Sequence, residues 1–393
     1  MKFVVAAYGS RGDLEPCIAV AAELHRRGHD VAMALTVTSD MLAFVRSVGL
    51  STVPYGRDWQ ELVGDKDFME MLQNPINALP KAIEYLAQVV AEKTTTLMSL
   101  TKDADLVVAG ITEQGVAANI AEYQHIPLAA LHFFPPHIME LGSIDSRLRR
   151  PGDRAQRRAL GLPEKSEPAL RPLEIQAYDE LCVPGLAAEW TECADRRPFV
   201  GTLTLQLPTD ADDEVLSWTA TGSPPIYVAF GSTPLPAPAD TVAVIGAACA
   251  RIGRRALICL PANDAAGISY PDHVKVVHEV NYATVLPACG AVVHHGGAGT
   301  TAAGLRAGTP NLILWNGLDQ PLWAAAVERL EVGFGRSFAQ TTLDSLTADL
   351  RAILKPQYAT RARAVATQMS KPAESVAAAA DLIENAARQG LQG

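Results

Sequence analysis

The 393-residue chain predicts an α/β protein made of two doubly wound, parallel-sheet domains that face each other across a cleft. Three observations carry this expectation. Short apolar runs alternate with helix-period segments along most of the chain, and glycine-rich turns close several of those runs. The scheme then breaks in a proline- and arginine-rich stretch and restarts. The length suits two domains, each large enough to bury a core.

The first unit of the pattern is strand, glycine loop, helix, strand. Lys2 to Ala7 is apolar, Gly9-Ser10-Arg11-Gly12-Asp13 is the turn, a helix runs through Arg27 to a stop at Gly28, and Asp30 to Leu35 is the second strand. The pattern recurs at Asp105 to Gly110, with a helix at about 114 to 124, and at Ile126 to Phe134. Periodicity is poor from Pro135 to roughly Arg171, where Arg147, Arg149, Arg150, Arg154, Arg157 and Arg158 crowd together. An acidic linker at 209 to 214 follows. Strands are then expected at Ile226 to Phe230, Ala256 to Leu260, Val274 to Val277, Ala291 to His294 and Asn311 to Trp315, with a helix at about 239 to 252. The alanine-rich tail from about 357 to 389 reads as helices. These signals place an N-terminal domain at 1–200, a C-terminal domain at 201–375, and a helical tail at 376–393 that packs back on the N-terminal domain.

Composition narrows the functional class. Thirty-three basic against 43 acidic residues give a net charge of −10, which disfavours nucleic acid as a partner. The six cysteines form no CxxC pair, which points to a reducing cytoplasm and away from a zinc site. No apolar run reaches the roughly 20 residues of a membrane span, and the chain enters a strand at once, so neither secretion nor membrane spanning is expected.

The densest signal is Val292-Val293-His294-His295-Gly296-Gly297-Ala298-Gly299-Thr300-Thr301. Apolar residues close a strand, glycines allow close backbone approach, and a helix opens whose free N–H groups and dipole favour an anion. A phosphate fits there, with His295 as a further donor. A pair of strand-end histidines, one buried and one solvated, is the plainer reading. Beyond the next strand, Asp319 and Gln320 offer acceptors and donors for vicinal hydroxyls, although Asp319 also suits a helix cap. Gly231-Ser232, ending its own strand, can turn backbone N–H groups to the same phosphates. Together these groups suggest a nucleotide sugar. A dinucleotide fingerprint fails on its third glycine and its acidic partner, and no GxxxxGK[ST] loop is present.

On the first strand-to-helix turn, Asp13 is the candidate general base and equally a candidate helix N-cap, while Arg11 is either a surface charge or a partner of a leaving diphosphate. Asp103-Ala104-Asp105 and Asp210-Ala211-Asp212 resemble metal-binding DxD pairs but read as solvated acids, and no metal is assigned. The arginine cluster reads as a solvated helix face. Its apolar neighbour, His132-Phe133-Phe134-Pro135-Pro136-His137-Ile138-Met139, raises a second option, a lipidic acceptor or the inner membrane leaflet.

The chain resembles the GT-B glycosyltransferases of family 1, in the bacterial branch of the glycopeptide-antibiotic enzymes. The resemblance lies in GSRGDLEP at 9–16, FGS at 230–232, EVNYATVLP at 279–287, HHGGAGTTAAGLRAGTP at 294–310 and DQP at 319–321. It covers nearly the whole chain. Within that branch it looks most like mycobacterial enzymes that glycosylate glycopeptidolipids and related envelope lipids, through KFVVAAYGSRGDLEPC, LEIQAYDELCVPGLAAEW, LPTDADDEV and KPAESVAAAADL.

The resemblance implies a hexosyltransferase that inverts the anomeric centre as it moves a hexose or deoxyhexose from a TDP- or UDP-sugar to a hydroxyl of a lipid, peptidolipid or other hydrophobic acceptor, with no required cofactor or metal. On the matching positions Asp13 is the base. His295 with Gly297, Ala298, Gly299 and Thr300 holds the diphosphate, Arg11 and Ser232 assist, Gly12 belongs to the donor-binding set, Val280 meets the nucleobase through its backbone, and Asp319 with Gln320 binds the sugar. His132, Phe133 and Phe134 fall on the acceptor side. At Glu279 plant members carry a tryptophan that stacks on the base, and the stretch from Phe134 to Gly161 is short for the mycobacterial group. Two rivals follow: a nucleotide-sugar epimerase of the same architecture, and a donor-binding protein with a degenerate acceptor side. The expected location is the cytoplasm, with peripheral contact at the inner face of the plasma membrane as an option.

Overall fold

A computed structural model describes residues 1–36, 39–56, 79–136, 143–163, 171–231, 235, 237–261 and 267–390. The chain divides into two compact units. One contains Met1–Tyr178, Ala187–Thr204 and Ala373–Gly393, and the other contains Asp179–Leu186 and Leu205–Pro372.

Unit 1 holds a six-stranded parallel sheet in the order β3-β2-β1-β4-β5-β6, with β1 Lys2–Ala7, β2 Asp30–Leu35, β3 Ser51–Pro54, β4 Leu106–Ala109, β5 Leu128–His132 and β6 Leu173–Gln176. Central β1 pairs with β2 on one side (Val4 opposite Ala32) and with β4 on the other (Val4 opposite Val107). The chain order reverses between those neighbours. In open sheets of this kind the crevice at the strand ends of such a reversal is where ligands bind. The helix Pro372–Gly390 belongs to unit 1 from Ala373 onward. Its buried stripe is Ala379, Ala380, Ile383 and Ala387, and Arg27 holds it through Asp381 at 2.5 Å and Glu384 at 3.1 Å.

Unit 2 repeats the arrangement in the order β12-β11-β10-β7-β8-β9, with β7 Ile226–Ala229, β8 Ala256–Cys259, β9 Val274–Val277, β10 Ala291–His294, β11 Asn311–Trp315 and β12 Gly333–Ser337. The reversal falls between β7 and β10, in register at Ala229 opposite His294. Alternate residues of these strands feed two separate helix layers. Ile226, Val228 and Val293 pack with Val242, Ile245 and Leu350 on one face, while Tyr227, Ala229 and Val292 pack with Val215, Val285 and Leu286 on the other. Burial on both faces makes these strands continuous apolar runs in the sequence.

Three strands go beyond the sequence expectation: β3, β6 and β12 are all sheet edges. A long helix, Leu79–Thr101, is likewise additional. The arginine-rich stretch folds as the helix Ser143–Leu160, and one of its arginines departs from the expected solvated face. Arg157 is buried; its guanidinium donates to both Glu122 carboxylate oxygens, to Asn119 and to the Pro163 carbonyl, while Arg154 and Arg158 are exposed. The Arg147, Arg149 and Arg150 side chains lie outside the described residues. No described helix is long and apolar enough to cross a membrane.

Candidate active site

In unit 1 the helix Arg11–Arg26 starts two residues before Asp13, so Ser10 is its N-cap and Asp13 stands at its third position. This corrects the N-cap reading of Asp13. Its carboxylate instead reaches back as the acidic half of a capping box. Both the Ser10 N–H and the Ser10 hydroxyl donate to Asp13 Oδ2, each at 2.8 Å. Oδ1 accepts no hydrogen bond among the described residues. Gly9 makes this closeness feasible: its φ is +132°, and a Cβ there would stand 2.4 Å from Asp13 Oδ2. Burial pushes the Asp13 carboxyl above the ordinary carboxylate range, the Ser10 hydrogen bonds pull it back, and the negative Glu113 adds to the rise; the net direction is upward. One oxygen is therefore fixed and the other open, on a group whose proton affinity is raised.

Glu113, which the sequence reading passed over, stands just past the end of β4, the strand beside β1. It is buried, accepts the Tyr55 hydroxyl at 2.5 Å and pairs with Lys93 at 2.7 Å. Lys93 also lies 3.6 Å from the centre of the Tyr8 ring. A buried carboxylate survives only with such partners. The sequence signal was its position, three residues after Gly110 on a strand whose neighbour ends at the Asp13 turn. Arg11 is exposed and pairs with Glu15 at 3.3 Å, and Gly12 is exposed beside it.

At the end of β5, His132 and Phe133 are buried and Phe134 is half-buried. Neither ring nitrogen of His132 has a hydrogen-bond partner among the described residues, and burial lowers its pKa to about 4, so the ring is neutral. His137 to Met139 lie outside the described residues.

In unit 2 the two adjacent histidines differ. His294 is fully buried; the Gly296 N–H donates to its Nδ1 at 3.1 Å, which places the ring proton on Nε2, 3.1 Å from Asn311 Oδ1. Burial, then the neighbouring His295, hold its pKa at about 3. His295 is not the solvated member of a pair. Its ring lies in a slot between two glycine backbones, because a Cβ on Gly231 would fall 2.6 Å from its Cε1 and one on Gly297 2.7 Å from its Nε2. Nδ1 is buried without a partner among the described residues, and burial lowers the pKa to about 4. Gly231 follows β7 and His295 follows β10, so the slot sits at the reversal of the sheet order.

The helix after it, Ala298–Arg306, opens two residues earlier than Thr300, with Gly297 as N-cap. Ala298, Gly299 and Thr300 therefore fill its first turn, whose N–H groups have no intrahelical partner. A Cβ on Gly299 would meet nothing within 4 Å. Ser232 lies outside the described residues. Val280 is buried, its side chain packed among Tyr227, Leu257, Val285 and Val292, which leaves only its peptide groups to meet a ligand.

Asp319 makes no side-chain cap on the helix Gln320–Arg329; its Oδ2 instead accepts the Trp323 indole N–H at 2.7 Å. Gln320 Oε1 accepts the Asn316 N–H at 2.7 Å, which fixes the amide and leaves Nε2 without a bond among the described residues. Of the two DxD pairs, Asp105 takes the Lys2 N–H at 2.7 Å. Asp212 is buried, contrary to the solvated reading, in the first turn of a helix, Asp212–Ala220, that replaces the expected linker. No cluster able to hold a metal occurs among the described residues.

Comparison with known proteins agrees with the two-sheet fold. Residues 3–138 match the glycosyltransferase family 28 N-terminal domain, and residues 243–384 match the erythromycin biosynthesis protein CIII-like C-terminal domain. An uncharacterised glycosyltransferase of Mycobacterium leprae is 54% identical over 98% of this chain and 97% of its own. The dTDP-epi-vancosaminyltransferase of Amycolatopsis orientalis is 31% identical over 93% of each chain. Among solved structures, the glycosyltransferase VinC in complex with dTDP superposes with a TM-score of 0.67 over 100% of both chains at 19% identity. Two six-stranded sheets of one topology and a relative 54% identical along nearly the full length place this chain in the family 1 GT-B glycosyltransferases.

Proposed function

We propose that this glycosyltransferase moves a hexose or deoxyhexose, with inversion, from a TDP- or UDP-sugar to a hydroxyl of a hydrophobic or lipid-linked acceptor. The carrying observation is the Asp13 carboxylate, with Oδ2 held by Ser10 and Oδ1 open at the reversal of the unit 1 sheet. As the acceptor oxygen attacks the anomeric carbon it becomes acidic, and Oδ1 takes its proton. Attack comes from the face opposite the leaving diphosphate, so the anomeric centre inverts.

The leaving charge falls to unit 2. The Ala298, Gly299 and Thr300 N–H groups and the His295 ring meet the diphosphate, and Gln320 Nε2 with Asp319 meets sugar hydroxyls. No step in this account uses a metal. A dTDP-sugar in the name of the Amycolatopsis relative and dTDP in the VinC complex support a thymidine or uridine donor. The half-buried Phe134, next to the buried Phe133 and the neutral His132, gives the acceptor side an apolar edge.

The test is a turnover assay with TDP- and UDP-hexoses and a hydrophobic alcohol or deacylated glycolipid. Acceptor-dependent release of the nucleoside diphosphate, with an inverted product by NMR of the anomeric proton, is expected. A retained anomer, or isomerisation of the donor without acceptor, contradicts the reading.

A further inference from the structure

Asp212 is tied to the segment proposed to hold the donor base. Oδ1 accepts the Asn281 N–H across 69 residues of sequence, at 2.8 Å, and the Thr209 hydroxyl at 2.8 Å; Oδ2 accepts the Thr209 N–H at 2.9 Å. Asn281 is itself buried, and its side chain caps the turn Tyr282–Val285 by accepting the Ala283 N–H at 3.0 Å. Val280, immediately before it, has its side chain anchored in the core, while no hydrogen bond among the described residues uses its peptide N–H or C=O.

A cavity of about 320 Å³ lies beside this junction, lined among others by Thr209, Asp210, Ala211, His278 and Glu279. Burial disfavours the charged carboxylate, yet hydrogen bonds from Asn281 and Thr209 outweigh it and hold the pKa below the ordinary value. A buried carboxylate that accepts three hydrogen bonds makes a rigid tether.

We propose that Asp212 is a positioning residue for the donor base: by fixing the Asn281 N–H it orients the Val280 peptide groups as an adjoining donor and acceptor that read O4 and N3–H of uracil or thymine. This rests on the reading of Val280 as the base-holding residue. It adds a residue remote in sequence, in a segment that otherwise reads as a linker, as the determinant of how firmly the base is read.

The probe is UDP against N3-methyl-UDP, whose methyl group removes the donor that the Val280 carbonyl would accept. Binding of each is measured by calorimetry, with melting temperature recorded for every variant. The wild-type protein is expected to prefer UDP by about tenfold or more, the scale of one well-made hydrogen bond replaced by a clash. Asp212→Ala is expected to bring the two ligands within about threefold. Asp212→Asn, which keeps an acceptor for Asn281 while losing the Thr209 N–H, is expected to keep most of the preference despite a lower melting temperature. Asp212→Ser, too short to reach Asn281, serves where the alanine variant folds poorly and is expected to behave like it. Absence of any preference in the wild-type protein overturns the base reading of Val280. A wild-type preference that survives intact in Asp212→Ala or Asp212→Ser overturns the role of Asp212 alone.

Discussion

Ser10→Ala isolates what the fixed carboxylate oxygen does. The substitution removes the 2.8 Å hydroxyl bond to Asp13 Oδ2 and leaves the 2.8 Å backbone bond in place. A hydrogen bond to an ionised group contributes about 1.5–3 kcal/mol, and half-burial of Asp13 lets water replace part of it, so the lower end applies. At about 1.4 kcal/mol per pKa unit, loss of this bond raises the Asp13 pKa by roughly one unit above its already raised value. The base must be ionised to act, so turnover falls as pH drops through that pKa. The kcat profile against pH is the assay, with saturating donor and acceptor. Its acid limb is expected to move about one unit to higher pH, while the plateau stays within about twofold and TDP affinity is unchanged. An acid limb that stays put, or moves to lower pH, refutes the assignment of Asp13 as the group that titrates.

Gly304→Ala places a Cβ 2.2 Å from Asn311 Oδ1, the acceptor of the fully buried His294 ring, so overpacking and an orphaned donor together cost about 2–5 kcal/mol, read as a lower urea midpoint. His294 itself has a folded pKa of about 3 against an ordinary value near 6.5. Its stabilising share is therefore complete above pH ~6.5 and is lost as pH falls toward 3; urea melts at falling pH are expected to show midpoints that decline through this window. His132→Leu removes two buried nitrogens that have no partner among the described residues, so the melting temperature is expected to hold or rise while the acceptor KM increases severalfold; a clear loss of stability with unchanged KM would return His132 to a purely structural role.

What the sequence disclosed follows from burial. Strands packed on both faces, such as Ile226–Ala229 and Ala291–His294, have no polar alternation and stand out as apolar runs. Edge strands have no such requirement: Gly333–Ser337 carries two glycines, an arginine and a serine, and Ser51–Pro54 ends on a proline, so neither announces itself. The same contrast holds at the site. The glycine turns at Gly9 and Gly296 are local features and were legible. The tether from Asp212 to Asn281 spans 69 residues and the partners of Glu113, Tyr55 and Lys93, come from two separate segments, which no local pattern encodes. Asp13 was visible as a candidate, yet whether it is the N-cap turned on where the helix starts, and helix ends are the least legible feature of a sequence.

The most direct test of the central claim is single-turnover kinetics of Asp13→Asn beside calorimetric TDP binding. The amide keeps the shape of the carboxylate but cannot take the acceptor proton at Oδ1. Loss of a general base typically slows the chemical step by about 10²–10⁴-fold. A fall of that size with TDP affinity within about twofold of wild type is the expected result. Turnover close to wild type in the folded variant would contradict the account.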